Sequence, residues 1–520
     1  MLTRLKVSGF KNLVDVDVRF GPFTCIAGPN GVGKSNLFDA ILFLGATMEQ
    51  TLTDAAKAVR DEANRTGDIR AIFHRVGEIQ DREICFEAEM ILSPTGTDEL
   101  GQMVKATTTF VCYRLRLGWR GSDSPHQDAG PIEILEESLT PLRLTDATNH
   151  LLFGPSRAWL KSVLKGRRAG KFISTEEKTL EDDSGKQTVV SLHQDRRSGR
   201  RFTRPAASLR RTLLSTVQAG EYPTAMLVRR EMQSWSQLHL ESTALRKADP
   251  FTAPTKMGAN GANLPATLYH LAQRAAKGNG HVNELKPPGE ANVASEAKAD
   301  AEARTAAVYA GIANRLAELI EDVREVSIER DEVQHQFILC LRSRDGTIHH
   351  ASALSDGTLR FLALAVTEVD TQSGGLVCFE EPENGIHPRR IPAMLRLLED
   401  IATDTSLAVD EDNPLRQVII NTHSPSVVRQ VPEASLLVAE LVEDLRISEG
   451  KPVLRFKKLE IGCLKNTWRA AKNSNQRVTS KGLLLAYLNP AAGERENVRG
   501  ANRVMDRPDL QEYLSFSANP

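Results

Sequence analysis

An apolar stretch, FTCIA, runs directly into Gly28-Pro29-Asn30-Gly31-Val32-Gly33-Lys34-Ser35, and from there into SNLFDAILFLGA, a run of good helix formers. This succession of strand, glycine-rich loop and helix constrains the fold more than any other feature. The spacing GxxxxGK[ST], placed after a strand and before a helix, is that of a phosphate-binding loop. Its glycines let backbone N–H groups converge on phosphate oxygens, at a helix N-terminus whose dipole favours anions. Lys34 is placed to reach the outer phosphates and the Ser35 hydroxyl to ligate Mg²⁺. Asn30, Gly31, Val32, Gly33, Lys34, Ser35 and Asn36 are therefore the candidate nucleotide-binding residues of this segment.

Three further segments carry chemistry. Leu376-Val377-Cys378-Phe379 ends in Glu380-Glu381, the pattern of an apolar strand delivering two carboxylates to its end. Adjacent carboxylates at a buried strand end repel unless a cation or water uses them. The pair suits a Walker B element, with Glu380 on Mg²⁺ and Glu381 polarising the attacking water. Leu354-Ser355-Asp356-Gly357-Thr358 precedes an apolar helix, so Ser355 or Asp356 is a helix cap, and a helix N-terminus also attracts phosphate. Asn421-Thr422-His423-Ser424-Pro425 closes the apolar strand QVII, placing His423 at a strand's carboxyl edge, where α/β sheets put ligand-contacting groups.

P-loop, LSDGT, FEEPENGIHP and NTHSP, in that order, resemble the ATP-binding-cassette ATPases of the SMC and RecF kind, and most of all the bacterial AAA-type ATPases related to the OLD family. The likeness covers residues 2–50 and about 330–430. It implies an α/β P-loop NTPase of the ATP-binding-cassette type, two-lobed, with antiparallel strands flanking a mainly parallel core sheet and a helical insertion. It also implies that Ser355, Asp356 and Gly357 contact the γ-phosphate bound to a partner subunit, making ATP the glue of a head-to-tail dimer. Pro382, Glu383 and Asn384 match the dimer-contacting loop, and His423 the switch histidine. Glu381, His423 and Lys34 are the implied catalytic residues, and Ser35 with Glu380 the implied metal ligands. Glu380 departs from the pattern, since Asp usually stands there. The family's lid glutamine is not assigned, Gln80 and Gln194 both being candidates.

The 520 residues exceed the usual size of a single core. The expected divisions are an N-terminal ATPase lobe over 1–204, a helical insertion or lid over 205–329, a C-terminal lobe over 330–454 and a basic tail over 455–520. Alternation predicts strands in LTRLKVSGF, VDVDVRF, EICFEAEM and from Thr107 to Leu117. Residues 160–211 and 245–300 are expected to be loops around short helices, and Asn292 to Val326 one helix or two. The six scattered cysteines form no CxxC pair, which argues for reduced thiols. The amino terminus lacks a signal-peptide pattern, and no run reaches the roughly 18 apolar residues of a membrane helix. A cytoplasmic protein is expected.

A net charge of -1 provides no global field for nucleic acid. Locally, Arg196, Arg197, Arg200, Arg201, Arg204, Arg210 and Arg211 crowd one stretch without a carboxylate, and Lys165, Arg167 and Arg168 extend it. Such a run neutralises phosphates without reading sequence; a solvated loop or a face for an acidic partner is the competing reading. Fewer than a hundred residues follow His423 and carry no acidic cluster suited to two-metal chemistry, so the TOPRIM nuclease domain of OLD proteins is not expected. Any cutting would fall to a separate effector. The leading expectation is an ATP-hydrolysing switch in antiphage defence or DNA repair. Its rivals are a non-catalytic ATP-dependent scaffold and a transporter motor. About 320 residues between Lys34 and Ser355 are too many for the transporter class.

Overall fold

The computed structural model describes residues 1–59, 68–120, 130–179, 186–195, 201–277, 291–318, 320, 322–370, 374–446, 453–471 and 476–488. The chain divides into two compact units, Met1–Val478 and Thr479–Pro520. In the second, residues Lys481–Leu488 form a helix.

The first unit is built on two large sheets. One has seven strands in the order Ser236–Leu238, Gly375–Glu380, Arg416–Thr422, Phe23–Ala27, Leu436–Arg446, Leu454–Cys463 and Arg477–Val478. Its first five strands are mutually parallel. The strands Phe23–Ala27, Gly375–Glu380 and Arg416–Thr422 are buried at every position, which is why they read as continuous apolar runs rather than alternating ones. Parallel pairing brings their carboxyl ends to one edge, and the chemistry-bearing loops leave from there.

The other sheet has eight strands, ordered Phe202–Pro205, Lys186–Leu192, Ile173–Thr179, Ile132–Pro141, Phe110–Trp119, Glu83–Ile91, Leu2–Ser8 and Val16–Arg19, all antiparallel. The helix Lys34–Ala46 lies against this sheet: Phe43 meets Phe10 and Phe86 at ring centroid distances of 5.9 and 5.5 Å. Its buried Leu37, Phe38, Ile41 and Leu44 belong to the same core. The P-loop helix is thus fixed by burial of its sides, leaving its N-terminus to do chemistry.

A smaller sheet joins Val323–Asp331, Gln336–Ser343 and the short strands Asp249–Pro250 and Ile348–His350. Tyr269, on the helix Leu264–Lys277, stacks on Phe337 at 4.4 Å.

Two expectations are corrected. Residues 160–211 contribute three strands of the eight-stranded sheet, because Ile173, Val189 and Val190 bury apolar groups even though most of their neighbours are polar. The predicted helix to Val326 stops at Ala317, and a strand begins at Val323, where Val323, Val326 and Ile328 favour pairing with Gln336–Ser343.

Candidate nucleotide site

The P-loop leaves the core sheet at Gly28 and enters the helix Lys34–Ala46 through Gly33, whose φ of 102° is left-handed. A side chain at Gly33 would also collide with Asn12, its Cβ lying 2.2 Å from Nδ2. Asn12 braces the loop: Nδ2 donates to Val32 O at 2.9 Å, and Oδ1 accepts from Asn36 Nδ2 at 2.9 Å. No side chain caps the helix start. Lys34 is 6% exposed and its Nζ donates to the carbonyls of Gly28 and Pro29 at 2.6 and 2.8 Å. Burial pulls its pKa below the usual lysine value, against the opposing pull of the Glu381 and Glu383 carboxylates.

These residues open onto a cavity of about 880 Å³ lined by Asn30, Gly31, Gly33, Lys34, Ser35, Asn36, Glu381 and Asn421. Phe73, His74, Arg455, Phe456 and Lys457 also line it. The rings of His74 and Phe456 lie 5.2 Å apart.

Glu380 ends its strand opposite Asn421 and is 7% exposed. From the adjoining strand Ser236–Leu238, His239 brings Nδ1 to 3.3 Å from Glu380 Oε2. Glu381 then adopts φ 45°, a left-handed conformation that costs a non-glycine residue about 1 kcal/mol or more and clusters at functional sites. Its N–H donates to Asn421 Oδ1 at 3.0 Å. Its carboxylate is held at both oxygens: Oε1 stands 2.8 Å from His423 Nδ1, and Oε2 accepts from Asn384 Nδ2 at 2.8 Å. Two residues on, Glu383 is buried, with Oε1 accepting from Thr422 Oγ1. Its Oε2 is buried with no hydrogen-bond partner among the described residues, and burial raises its pKa.

The Ser355 hydroxyl caps the helix Asp356–Val369, accepting from Thr358 N at 3.2 Å. Arg246 hydrogen-bonds the Asp356 carboxylate, which holds that carboxyl below its usual pKa, and also donates to Leu354 O at 2.9 Å. Gly357 touches the loop after Glu381: a Cβ there would lie 2.6 Å from Gly385 O.

The structure therefore gathers Asn30, Gly31, Gly33, Lys34, Ser35, Asn36 and Glu381 around one cavity, with His423 bonded to Glu381. Val32 is buried in the loop, and Glu380 stands at the same sheet edge. Ser355, Asp356 and Gly357 are not among the residues lining that cavity. Asn12 and His239 were not anticipated. Of the basic run, Arg196, Arg197 and Arg200 lie outside the described residues. Arg201 sits 3.9 Å from Glu176, Arg204 stacks on Phe202 at 4.2 Å, and Arg211 donates to Glu49 O.

A strand order that sets Arg416–Thr422 between the P-loop strand and the strand ending in Glu380, with a lysine-bearing loop facing a braced carboxylate, defines a P-loop ATPase. Residues 168–429, half of the chain, match the family described as "AAA domain, putative AbiEii toxin, Type IV TA system", and the chain belongs to it. Residues 1–82 match the "RecF/RecN/SMC N terminal domain". Over 46 residues the chain is 52% identical to the OLD nuclease of Thermus scotoductus, a stretch amounting to 9% of this chain and 9% of that protein. Among solved structures, the SMC head bound to the C-winged helix domain of ScpA is 14% identical, covering 89% of this chain and 98% of that one, with a TM-score of 0.41. The Smc head with extended coiled coil bound to the C-terminal domain of ScpA derived from Pyrococcus furiosus is 12% identical, covering 89% and 96%, with a TM-score of 0.37. No helix among the described residues is long and apolar enough to cross a membrane.

Proposed function

We propose that the protein is an ATP-hydrolysing molecular switch that dimerises around ATP and controls a DNA-directed activity or a separate effector. The observation that supports this most is the bracing of Glu381 by His423, Asn384 and Asn421 at the cavity that holds Lys34 and Ser35. A carboxylate fixed at both oxygens and on a strained backbone is oriented in advance to accept a proton from an attacking water. His423 holds that carboxylate in place. Lys34 exchanges its two carbonyl partners for phosphate oxygens when nucleotide arrives. The uncapped helix start and the Asn12-braced loop present N–H donors to the same anion.

The donor set also fits Mg²⁺, a hard cation that takes oxygen ligands. Ser35 Oγ and the Glu380 carboxylate would hold it, and when bound it neutralises phosphate charge. Ser355, Asp356 and Gly357 lie outside the chain's own cavity and serve the nucleotide of a second copy, so each site is shared between two chains.

The family resemblance and the short OLD nuclease match favour a setting in bacterial antiphage defence or DNA repair, with a nuclease as the effector class. Lys34→Ala is expected to abolish ATP binding, and Glu381→Gln to retain it and trap the closed dimer, read by size-exclusion chromatography with ATP. Unchanged ATP turnover in both variants would sink the assignment. The longer Glu380, engaged by His239, favours a second reading in which ATP holds an assembly together without turnover. Nucleotide-dependent assembly at background hydrolysis would select it.

A further inference from the structure

We infer that Glu329, Cys340 and His350 form a binding site for a zinc-type transition metal on the outer face of the small antiparallel sheet. The strands Val323–Asp331, Gln336–Ser343 and Ile348–His350 contribute one ligand each. Cys340 is paired with Ser327 on one side and His350 on the other. Directly paired residues share a face, and Glu329, two residues beyond Ser327, falls on that same face. Phe337, Leu339 and Leu341 are buried, with Phe337 stacked on the helix residue Tyr269, so the alternation turns Cys340 outward from that packing.

One ligand atom from each of the three side chains lies within 4.8 Å of the others. Cys340 Sγ and Glu329 Oε2 are 3.8 Å apart. A tetrahedral zinc with bonds of about 2.3 Å to sulfur and about 2.1 Å to oxygen sets those two atoms about 3.6 Å apart. The remaining adjustment falls within the side-chain freedom of Glu329 and His350, both exposed, while Cys340 forms the buried floor. Thiolate, imidazole and carboxylate together select zinc and its neighbours over Mg²⁺ or Ca²⁺, which take oxygen. Without a metal, burial and the nearby Glu329 keep the Cys340 thiol protonated. Metal binding forms a metal–sulfur bond and releases that proton to solvent. Three protein ligands leave the fourth position to water.

The location gives the site a consequence. His350 is followed by the turn Ala351–Ala353 and then by Ser355, which caps the helix Asp356–Val369. An ion joining His350 to the two longer strands therefore anchors the segment that delivers Ser355.

The test uses the full chain, freed of metal by chelation and desalted, then titrated with Co²⁺ as a spectroscopic stand-in for zinc, with Mg²⁺ in excess to occupy oxygen sites. One equivalent of Co²⁺ is expected to produce a thiolate-to-cobalt charge-transfer band that Zn²⁺ abolishes. Cys340→Ser is expected to remove the band. His350→Ala and Glu329→Gln keep the thiol and are expected to weaken Co²⁺ binding by about tenfold or more, the scale on which loss of even a supporting contact is felt. Circular dichroism confirms that each variant is folded. Absence of the band, its persistence in Cys340→Ser, or undiminished affinity in both thiol-retaining variants would overturn the site.

Discussion

Two helices begin at functional segments in this chain, and they begin differently. Lys34–Ala46 starts from a left-handed glycine with no side-chain cap, in a cavity of about 880 Å³. Asp356–Val369 starts from Ser355, which caps it, beside an Asp356 already paired with Arg246. Unspent N–H groups at a helix start call for a partner. The first helix leaves that role to a ligand, whereas the second satisfies part of it alone. A site meant for the chain's own nucleotide can stay unfinished, because the surrounding core holds its helix in place. Under the proposed dimer, the surface at Ser355 is ordered before a second chain arrives.

The largest expected effect tests the unfinished end. Lys34→Ala should weaken ATP binding by about 100-fold or more, since it removes a charge-assisted contact in a buried setting; calorimetric titration checks this, and wild-type affinity would break the comparison. Next, Glu381→Gln should lower turnover by about 100-fold or more while leaving the ATP dissociation constant nearly unchanged, as expected for loss of a general base. Steady-state ATPase assays beside nucleotide titration separate the two quantities. Asn12→Ala should cost about 1–2 kcal/mol of ATP affinity by loosening the loop, with turnover at saturating ATP little altered.

At the finished end the effects are smaller. Ser355→Ala should lower unfolding stability by about 1 kcal/mol through loss of the cap, and leave ATP binding to a single chain intact while reducing ATP-dependent dimerisation. The Asp356–Arg246 pair is half exposed and should contribute about 0.2–1 kcal/mol. Because the folded-state pKa of Asp356 is depressed below 3.8, its contribution is present above that value and disappears as pH falls through the lowered one. Melting wild type beside Asp356→Asn should therefore show a gap near neutral pH that closes in acid.

Much of this arrangement was readable in the residues because its motifs are local. Gly28 to Ser35, the apolar strand into Glu380 and the capping Ser355 each announce themselves within a few positions. What escaped acts across distance. Asn12 reaches a carbonyl 20 residues away, and His239 meets Glu380 only because two parallel strands end side by side. Neither carries a periodic or compositional signal. Glu383 reads in the sequence as part of a dimer-contacting loop, and only the fold shows its carboxyl buried beside Thr422. The strands Ile173–Thr179 and Lys186–Leu192 were hidden for the opposite reason, because their paired tip, Glu176–Thr179 and Lys186, is exposed and polar, so neither strand alternates along its length.

The approach of Gly357 to Gly385 has a mechanical meaning. Main chain rests on main chain there, with no room for even a methyl group, the added carbon falling 2.6 Å from an oxygen. Side chains can absorb a small displacement by turning to another rotamer, but two bare backbones cannot. Gly385 lies four residues past Glu381, so the loop that carries that carboxylate packs directly against the first turn of the helix that Ser355 caps. A larger residue at 357 would have to push that loop aside, whereas at 385 the strain would come from the left-handed φ of 75° rather than from lack of room.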